Sequence, residues 1–208
     1  MLGRMAAKRL LDVSFATLLL LVLTPVLVVV VAAMALDVLL VPRDRGGLLY
    51  RESRISQGRM FSLLKFRTLR TEVLAEMRTA RSHARLYKVE PGNLTWAGRR
   101  MLKPWYLDEL PQLLNVLRGD ISLVGPRPWP PEMVERQVAE GLAYRNEVRA
   151  GLTGPAQITK GSGLRFADLD LSYVEKLRRL RGLALLRYDL GILWATARVI
   201  ARGEGLSY

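Results

Sequence analysis

The chain has no cysteine, which excludes disulfides, thiolate nucleophiles and thiolate-held zinc and permits a reducing compartment. It has a single histidine, His83, inside the charged stretch "RTARSHARLYK". A Ser-His-Asp relay or a two-histidine metal site would have to be built on that residue, whose surroundings mark it as a solvated helix position. Nucleophiles therefore reduce to hydroxyls, lysine and carboxylates. Acidic residues are scarce beside basic ones, 19 Asp and Glu against 32 Lys and Arg, a balance of +13. Such a balance favours anionic partners, whether phosphates, nucleic acids or acidic lipid headgroups, and does not choose among them.

Charge is missing altogether from Val13 to Leu36, "VSFATLLLLVLTPVLVVVVAAMAL", 24 residues. As a helix this run is roughly 36 Å long, enough to reach across a bilayer. A cleaved signal peptide has an apolar region of about 7 to 15 residues, so this run is too long for one. A straight span leaves basic residues mainly on one flank, but here Arg4, Lys8 and Arg9 precede the run and Arg43, Arg45, Arg51 and Arg54 follow it. Pro25, after Thr24, removes a backbone hydrogen bond near the middle and bends the helix, and the Thr24 or Ser14 hydroxyl can satisfy the freed carbonyls. The expectation is a re-entrant helix-break-helix over residues 1–42 that enters and leaves one leaflet, with both ends facing the cytoplasm.

After Pro42 the composition turns polar and arginine-rich, so residues 43–208 are expected to form a small cytoplasmic domain. "GLLYRES" and "MFSLLKFRTL" read as short strands joined by a turn at "SQGR". Arg70 to Lys88 reads as a solvated, mobile helix with little apolar face, and "EPGNLTWAGRR" reads as a loop. The acceptor-like Asn93-Leu94-Thr95 is a chance match on the cytoplasmic side. "ELPQLLNVLRG" is expected to be a three-turn helix ending at Gly119, followed by the strand and proline loop of "ISLVGPRPWPP" and a helix from Pro131 to Arg145. In Arg149 to Gly163 the glycines signal either tight turns or close backbone approach. The final stretch, Leu183 to Ala201, is an apolar helix interrupted by Arg187, Asp189 and Arg198, which argue against spanning. It either packs in the core or lies flat on a membrane surface, with Tyr188 and Trp194 at the headgroups. The fold class is α+β and mainly helical, with short strands and interfacial helices.

Against this basic background, "YLDELPQLLN" places the carboxylates of Asp108 and Glu109 side by side before Pro111. One reading is structural: Asp108 caps a helix and Glu109 complements its dipole. The other is chemical, because the free N–H groups of a helix start attract phosphate as well as carboxylate. An ionised Asp can attack phosphorus to form an acyl phosphate, and a neighbouring Glu can hold Mg²⁺. Cations are needed to bring an anionic nucleophile to an anionic substrate, and Lys103, Arg118 and Arg127 are near in sequence. Arg127 lies between Pro126 and Pro128, a stiff backbone from which to aim a guanidinium. Spacing alone leaves both readings open.

"LDELPQLLNVLRGDISLVGPRP", Leu107 to Pro128, closely resembles the bacterial sugar transferase family, the monotopic polyprenyl-phosphate phosphoglycosyl transferases. The resemblance continues in "KRLLDVSFATLLLLVLTPVL", in "KFRT" at Lys65 to Thr68, and in "RAGLTGPAQI", "DLSYVEK" and the final helix, so it covers essentially the whole chain. It implies transfer of sugar 1-phosphate from a UDP-sugar to a polyprenyl phosphate such as undecaprenyl phosphate, with release of UMP. It further implies Asp108 as the nucleophile of a phosphosugar intermediate and Glu109 as the Mg²⁺ ligand. Lys103, where arginine is usual, and Arg127 would contact phosphate, and Thr24-Pro25 would form the break of the membrane hairpin. The place of action would be the cytoplasmic face of the bacterial inner membrane. The chain departs from the family in "PWY", Pro104 to Tyr106, where Thr-Ser commonly precedes the acid pair, and in Ala150, where proline is frequent. Those departures bear on sugar or nucleotide preference. Expected partners are a UDP-sugar, a polyprenyl phosphate and anionic lipid, with no nucleic acid and with homodimerisation left open. The competing class is a membrane-anchored basic module that binds nucleic acid or acidic lipid without catalysis.

Overall fold

The computed structural model describes residues 2–80, 87, 90–159 and 165–202; His83 and the "KGSG" stretch fall outside them. Two long helices come first, α1 (Leu2–Val22) and α2 (Thr24–Leu40). The strands β1 (Leu49–Ser56) and β2 (Arg59–Phe66) form a hairpin, followed by helix α3 (Thr71–Thr79). Its two-residue turn has φ of 52° at Gln57 and 71° at Gly58, the left-handed pair that a tight hairpin needs and that glycine adopts without strain. Helix α4 (Gln112–Arg118) leads into β3 (Ser122–Val124), and α5 (Pro131–Ala139) and α6 (Tyr144–Glu147) precede β4 (Gly151–Thr153). β3 and β4 pair in parallel, Ser122 with Gly151 and Val124 with Thr153. Three helices complete the chain: α7 (Pro155–Ile158), α8 (Phe166–Arg179) and α9 (Gly182–Ala201). The protein is mainly helical, with a small two-sheet content.

The break at Leu23 falls where the sequence places it. Pro25 sits in the first turn of α2, the Thr24 hydroxyl donates to the Leu20 carbonyl at 2.8 Å, and the helix axis bends by 62°. Among the described residues no single helix is long and apolar enough to cross a membrane; the bent pair Ala6–Val22 and Thr24–Leu40 meets that length and composition together.

The chain divides into two compact units, one of residues 20–51 and 64–112 and the other of residues 1–19, 52–63 and 113–208. In the first, α2 presents Val30, Ala33 and Met34, at the i, i+3, i+4 spacing of one helix face, to Phe66, Ala97 and Leu102. Its remaining surface keeps Val28, Val29, Leu36, Leu39 and Leu40 exposed. The Asp37 carboxylate at the base of the same helix accepts the Ala97 N–H at 2.7 Å. In the second unit, Asp12 of α1 accepts the Leu123 N–H and the Ser122 hydroxyl, each at 2.9 Å. Lys8, one turn earlier, is buried and donates to Asp189 at 2.6 Å, to the Val124 carbonyl at 3.1 Å and to the Tyr173 hydroxyl at 3.2 Å. The start of α1 is thereby fastened to β3, α8 and α9 by buried polar groups that satisfy one another.

Four expectations are corrected. The stretch after Arg70 is not an exposed helix without an apolar face: Val73, Leu74 and Met77 are buried with Leu69 and Leu94. Residues 91–102 are not a loop, since a 3₁₀ turn at Pro91–Asn93 is followed by a helical segment that ends in a π-helical turn, Gly98–Leu102. The helix from Pro131 stops at Ala139 because Gly141 takes a φ of 85°, and Tyr144 begins a separate turn. The three-turn helix expected from Glu109 is the seven-residue α4, starting only at Gln112, with the acid pair in a 3₁₀ turn ahead of it.

Candidate active site

The segment that carries the acid pair is wound tightly. The Lys103 N–H closes the π-helical turn on the Gly98 carbonyl at 3.0 Å, and Tyr106 follows with a φ of 54°, uncommon for a residue with a β-carbon. That reversal feeds the 3₁₀ turn Leu107–Glu109, closed by Glu109 N–H to Tyr106 O at 3.1 Å and Leu110 N–H to Leu107 O at 3.2 Å. Leu107 and Leu110 pack on the cluster of Phe66, Ala97 and Leu102, so the two acids between them are presented from an anchored turn.

Asp108 therefore does not cap an α-helix. Its carboxylate is buried, and its Oδ2 accepts no hydrogen bond of good geometry, while the Lys103 ammonium stands 3.1 Å from that oxygen. The group beside Oδ2 is thus a lysine ammonium and not a backbone amide. Glu109 is more open and has a different cation, Lys65 of β2, with Nζ at 3.5 Å from Oε1. Lys65 is buried and was not among the cations the sequence singled out beside the pair; the only signal was its place in "KFRT". The rest of that motif is structural. Phe66 enters the core, and Arg67 donates to the carbonyls of Asp44 at 2.5 Å, Gly47 at 2.8 Å and Leu69 at 3.2 Å. Burial lowers the Arg67 pKa, opposed by the Asp44 charge.

Lys103, Asp108, Glu109 and Lys65 are thus brought together as two carboxylates with two ammonium groups. Arg118, in the last turn of α4, is exposed. Arg127 lies in the other unit, half-buried in the loop after β3. Trp105 projects into solvent, 72% exposed, ahead of the half-buried Tyr106. Ala150 uses what a proline lacks: its N–H donates to Ser56 Oγ at 3.0 Å. Among the described residues no group of three acidic or histidine side chains gathers to hold a metal. Two adjacent carboxylates nevertheless fit Mg²⁺, which uses one or two protein oxygens and fills its other positions with water and substrate phosphate.

Known proteins share this arrangement of sequence. The family model described as "Bacterial sugar transferase" matches residues 3–203. An undecaprenyl-phosphate glucose phosphotransferase of Komagataeibacter xylinus is 36% identical over 184 residues, covering 82% of this chain and 32% of that protein. A UDP-glucose:undecaprenyl-phosphate glucose-1-phosphate transferase of Escherichia coli is 35% identical over 182 residues, 81% of this chain and 36% of that one. The uncharacterized sugar transferase EpsL of Bacillus subtilis is 32% identical over 212 residues, 97% of this chain and 91% of EpsL. The chain spans about a third of the first two proteins and nearly all of the third. On these matches the protein belongs to the bacterial sugar transferase family.

Proposed function

We propose that the protein is a phosphoglycosyl transferase that moves a sugar 1-phosphate from a UDP-sugar onto a polyprenyl phosphate at the cytoplasmic face of the bacterial inner membrane. The observation that carries this reading is Asp108: a buried carboxylate with no backbone amide on its Oδ2 and a lysine ammonium 3.1 Å away. Asp108 lies inside a 3₁₀ turn rather than at the N-cap of an α-helix, so its carboxylate is not placed as a helix cap. The names of the relatives, which include glucose and galactose transfer to undecaprenyl phosphate, supply the substrate class.

In the first step a carboxylate oxygen of Asp108 attacks the phosphorus that carries the sugar; the bond to the bridging oxygen breaks and UMP leaves with that oxygen. In the second, a phosphate oxygen of the polyprenyl phosphate attacks the same phosphorus, the bond to Asp108 breaks, and a polyprenyl diphosphate sugar forms with the aspartate restored. Lys103, 3.1 Å from the carboxylate, offsets charge as the anionic substrate approaches. Glu109, turned by Lys65, is the residue that would hold Mg²⁺, which when bound draws charge from the phosphate oxygens. Arg127 contacts phosphate. The bent helix pair serves as a re-entrant anchor, and the excess of 13 positive charges raises the concentration of a dianionic donor near an anionic surface.

Asp108→Asn removes the nucleophile while preserving shape. The purified variant should release no UMP from a panel of UDP-sugars supplied with undecaprenyl phosphate, while its melting temperature and binding to acidic lipid vesicles match the parent. Turnover by that variant would exclude Asp108 as the nucleophile, and lipid binding without turnover by the parent would favour a non-catalytic module.

A further inference from the structure

Between β3 and α5 the chain reads Gly125-Pro126-Arg127-Pro128-Trp129-Pro130, and its carbonyls are gripped one after another. Val124 O accepts from Lys8 and from Tyr173 at 3.1 and 3.0 Å, Pro126 O from the Gly151 N–H at 2.8 Å, and Trp129 O from the Ile55 N–H at 3.0 Å. Arg127 O accepts from Arg145 Nη1. Three prolines fix φ near about −65° in alternate residues, so little backbone freedom is left around Arg127.

Arg145 is the unusual member of this set. It is 4% exposed and donates from three edges: Nε to Gln137 Oε1 at 2.9 Å, Nη2 to Asp170 Oδ2 at 2.6 Å and Nη1 to the Arg127 carbonyl. Its planar face lies 4.0 Å from the Trp129 ring. The guanidinium thus holds residues on both sides of Pro128. Asp170 balances its charge and is itself fixed by the Tyr144 hydroxyl at 3.0 Å. With a hydrogen bond from each of its three nitrogens committed inside the protein and its charge matched by buried Asp170, Arg145 is placed to hold backbone rather than to bind phosphate.

We propose that Arg145 is a positioning residue that aims the Arg127 side chain at the phosphate of the donor, a role that rests on the phosphate contact assigned to Arg127 above. Transition-state charge is stabilised by groups already in place, and a displacement of about 1 Å costs on the order of a hundredfold in rate. A lysine at 145 would keep the charge but lose both the directed fork and the flat face that covers Trp129.

The test is a double-mutant cycle read beside hydrogen exchange. Arg145→Lys should lower kcat/KM for UMP release about 10- to 100-fold in the parent. In an Arg127→Ala background the same change should cost less than about threefold, because a misaimed side chain that is already gone cannot be misaimed further. Exchange of the Gly125, Arg127 and Trp129 amides, the N–H groups of residues 125–130, should accelerate in Arg145→Lys, and α3, which belongs to the other unit, should keep its protection. If Arg145→Lys fails to fold, Trp129→Leu removes only the stacked face and should show the same coupling to Arg127. Equal losses in both backgrounds, or exchange over 125–130 unchanged from the parent, would overturn the proposal. A parent enzyme that releases no UMP from any UDP-sugar overturns the proposed function and with it this aiming role, whereas a parent that turns over while the cycle shows no coupling overturns the aiming role alone.

Discussion

Asp108 and Glu109 are adjacent in the chain yet answer to different cations, Lys103 and Lys65, because a 3₁₀ turn swings successive side chains about a third of a turn apart. On the proposed function, that separation would leave one carboxylate to act on phosphorus and the other to hold metal. Elsewhere single residues carry a measurable cost of burial. Desolvation, with the Asp170 charge beside it, pushes the Tyr144 hydroxyl up to about 12. Tyr173 is shifted well upward by burial and then by Asp189, and Tyr188 upward by the same two causes. Each raised group keeps its proton in the folded state at a pH where the unfolded chain has lost it. The stability they contribute is complete below about pH 10 and is lost as pH climbs towards 12 and beyond. Tyr144→Phe cannot titrate, so its melting temperature should fall less steeply over that window than the parent's, with part of the slope remaining because Tyr173 and Tyr188 are still present. A variant slope equal to the parent's would show that Tyr144 ionises normally.

At the level of elements, close backbone approach explains what composition could not. A β-carbon on Gly151 would lie 2.1 Å from the Gly125 nitrogen and 2.6 Å from its α-carbon, so the pairing of β3 with β4 tolerates no side chain there. Gly191 in α9 has nothing within 4 Å of the same imagined atom. Gly151→Ala should therefore destabilise by at least about 1–3 kcal/mol, the cost of overpacking against backbone that cannot yield. Gly191→Ala should stabilise by about 0.5–1 kcal/mol by removing a flexible residue from a helix interior. Opposite shifts in denaturant midpoint would bear this out, and a neutral Gly151→Ala would contradict the strand contact. The sequence left tight turns and close approach as equal readings of "RAGLTGPAQ"; only the partner backbone at Gly125 decides between them. The hairpin at Gln57-Gly58 and the last helix were legible because turn chemistry and apolar periodicity are local. α3 was not, since its three core residues are surrounded by charge and are recognised only through Leu69 and Leu94. The adjacency of the two acids was plain in the sequence, but the turn that presents them was misread as a helix start because Pro111 and Asp108 satisfy the same local rules in either conformation.

For the whole molecule the open question with most consequence is which way the ends of the hydrophobic hairpin face. Buried polar contacts fasten both ends of the pair to folded polar structure: Lys8 and Asp12 are held in one unit, and Asp37 in the other. The re-entrant reading expects both ends of the pair on one side of the membrane, whereas a straight span would carry Asp37 and the arginines after it to the far side. The absence of cysteine makes this directly measurable, because any thiol introduced is unique. Ala6→Cys and Leu40→Cys place thiols at exposed positions on either side of the apolar run. In intact cells a membrane-impermeant maleimide should label neither, and in inside-out vesicles it should label both. Labelling of one position from outside the cell would establish a straight span and overturn the proposed re-entrant anchor.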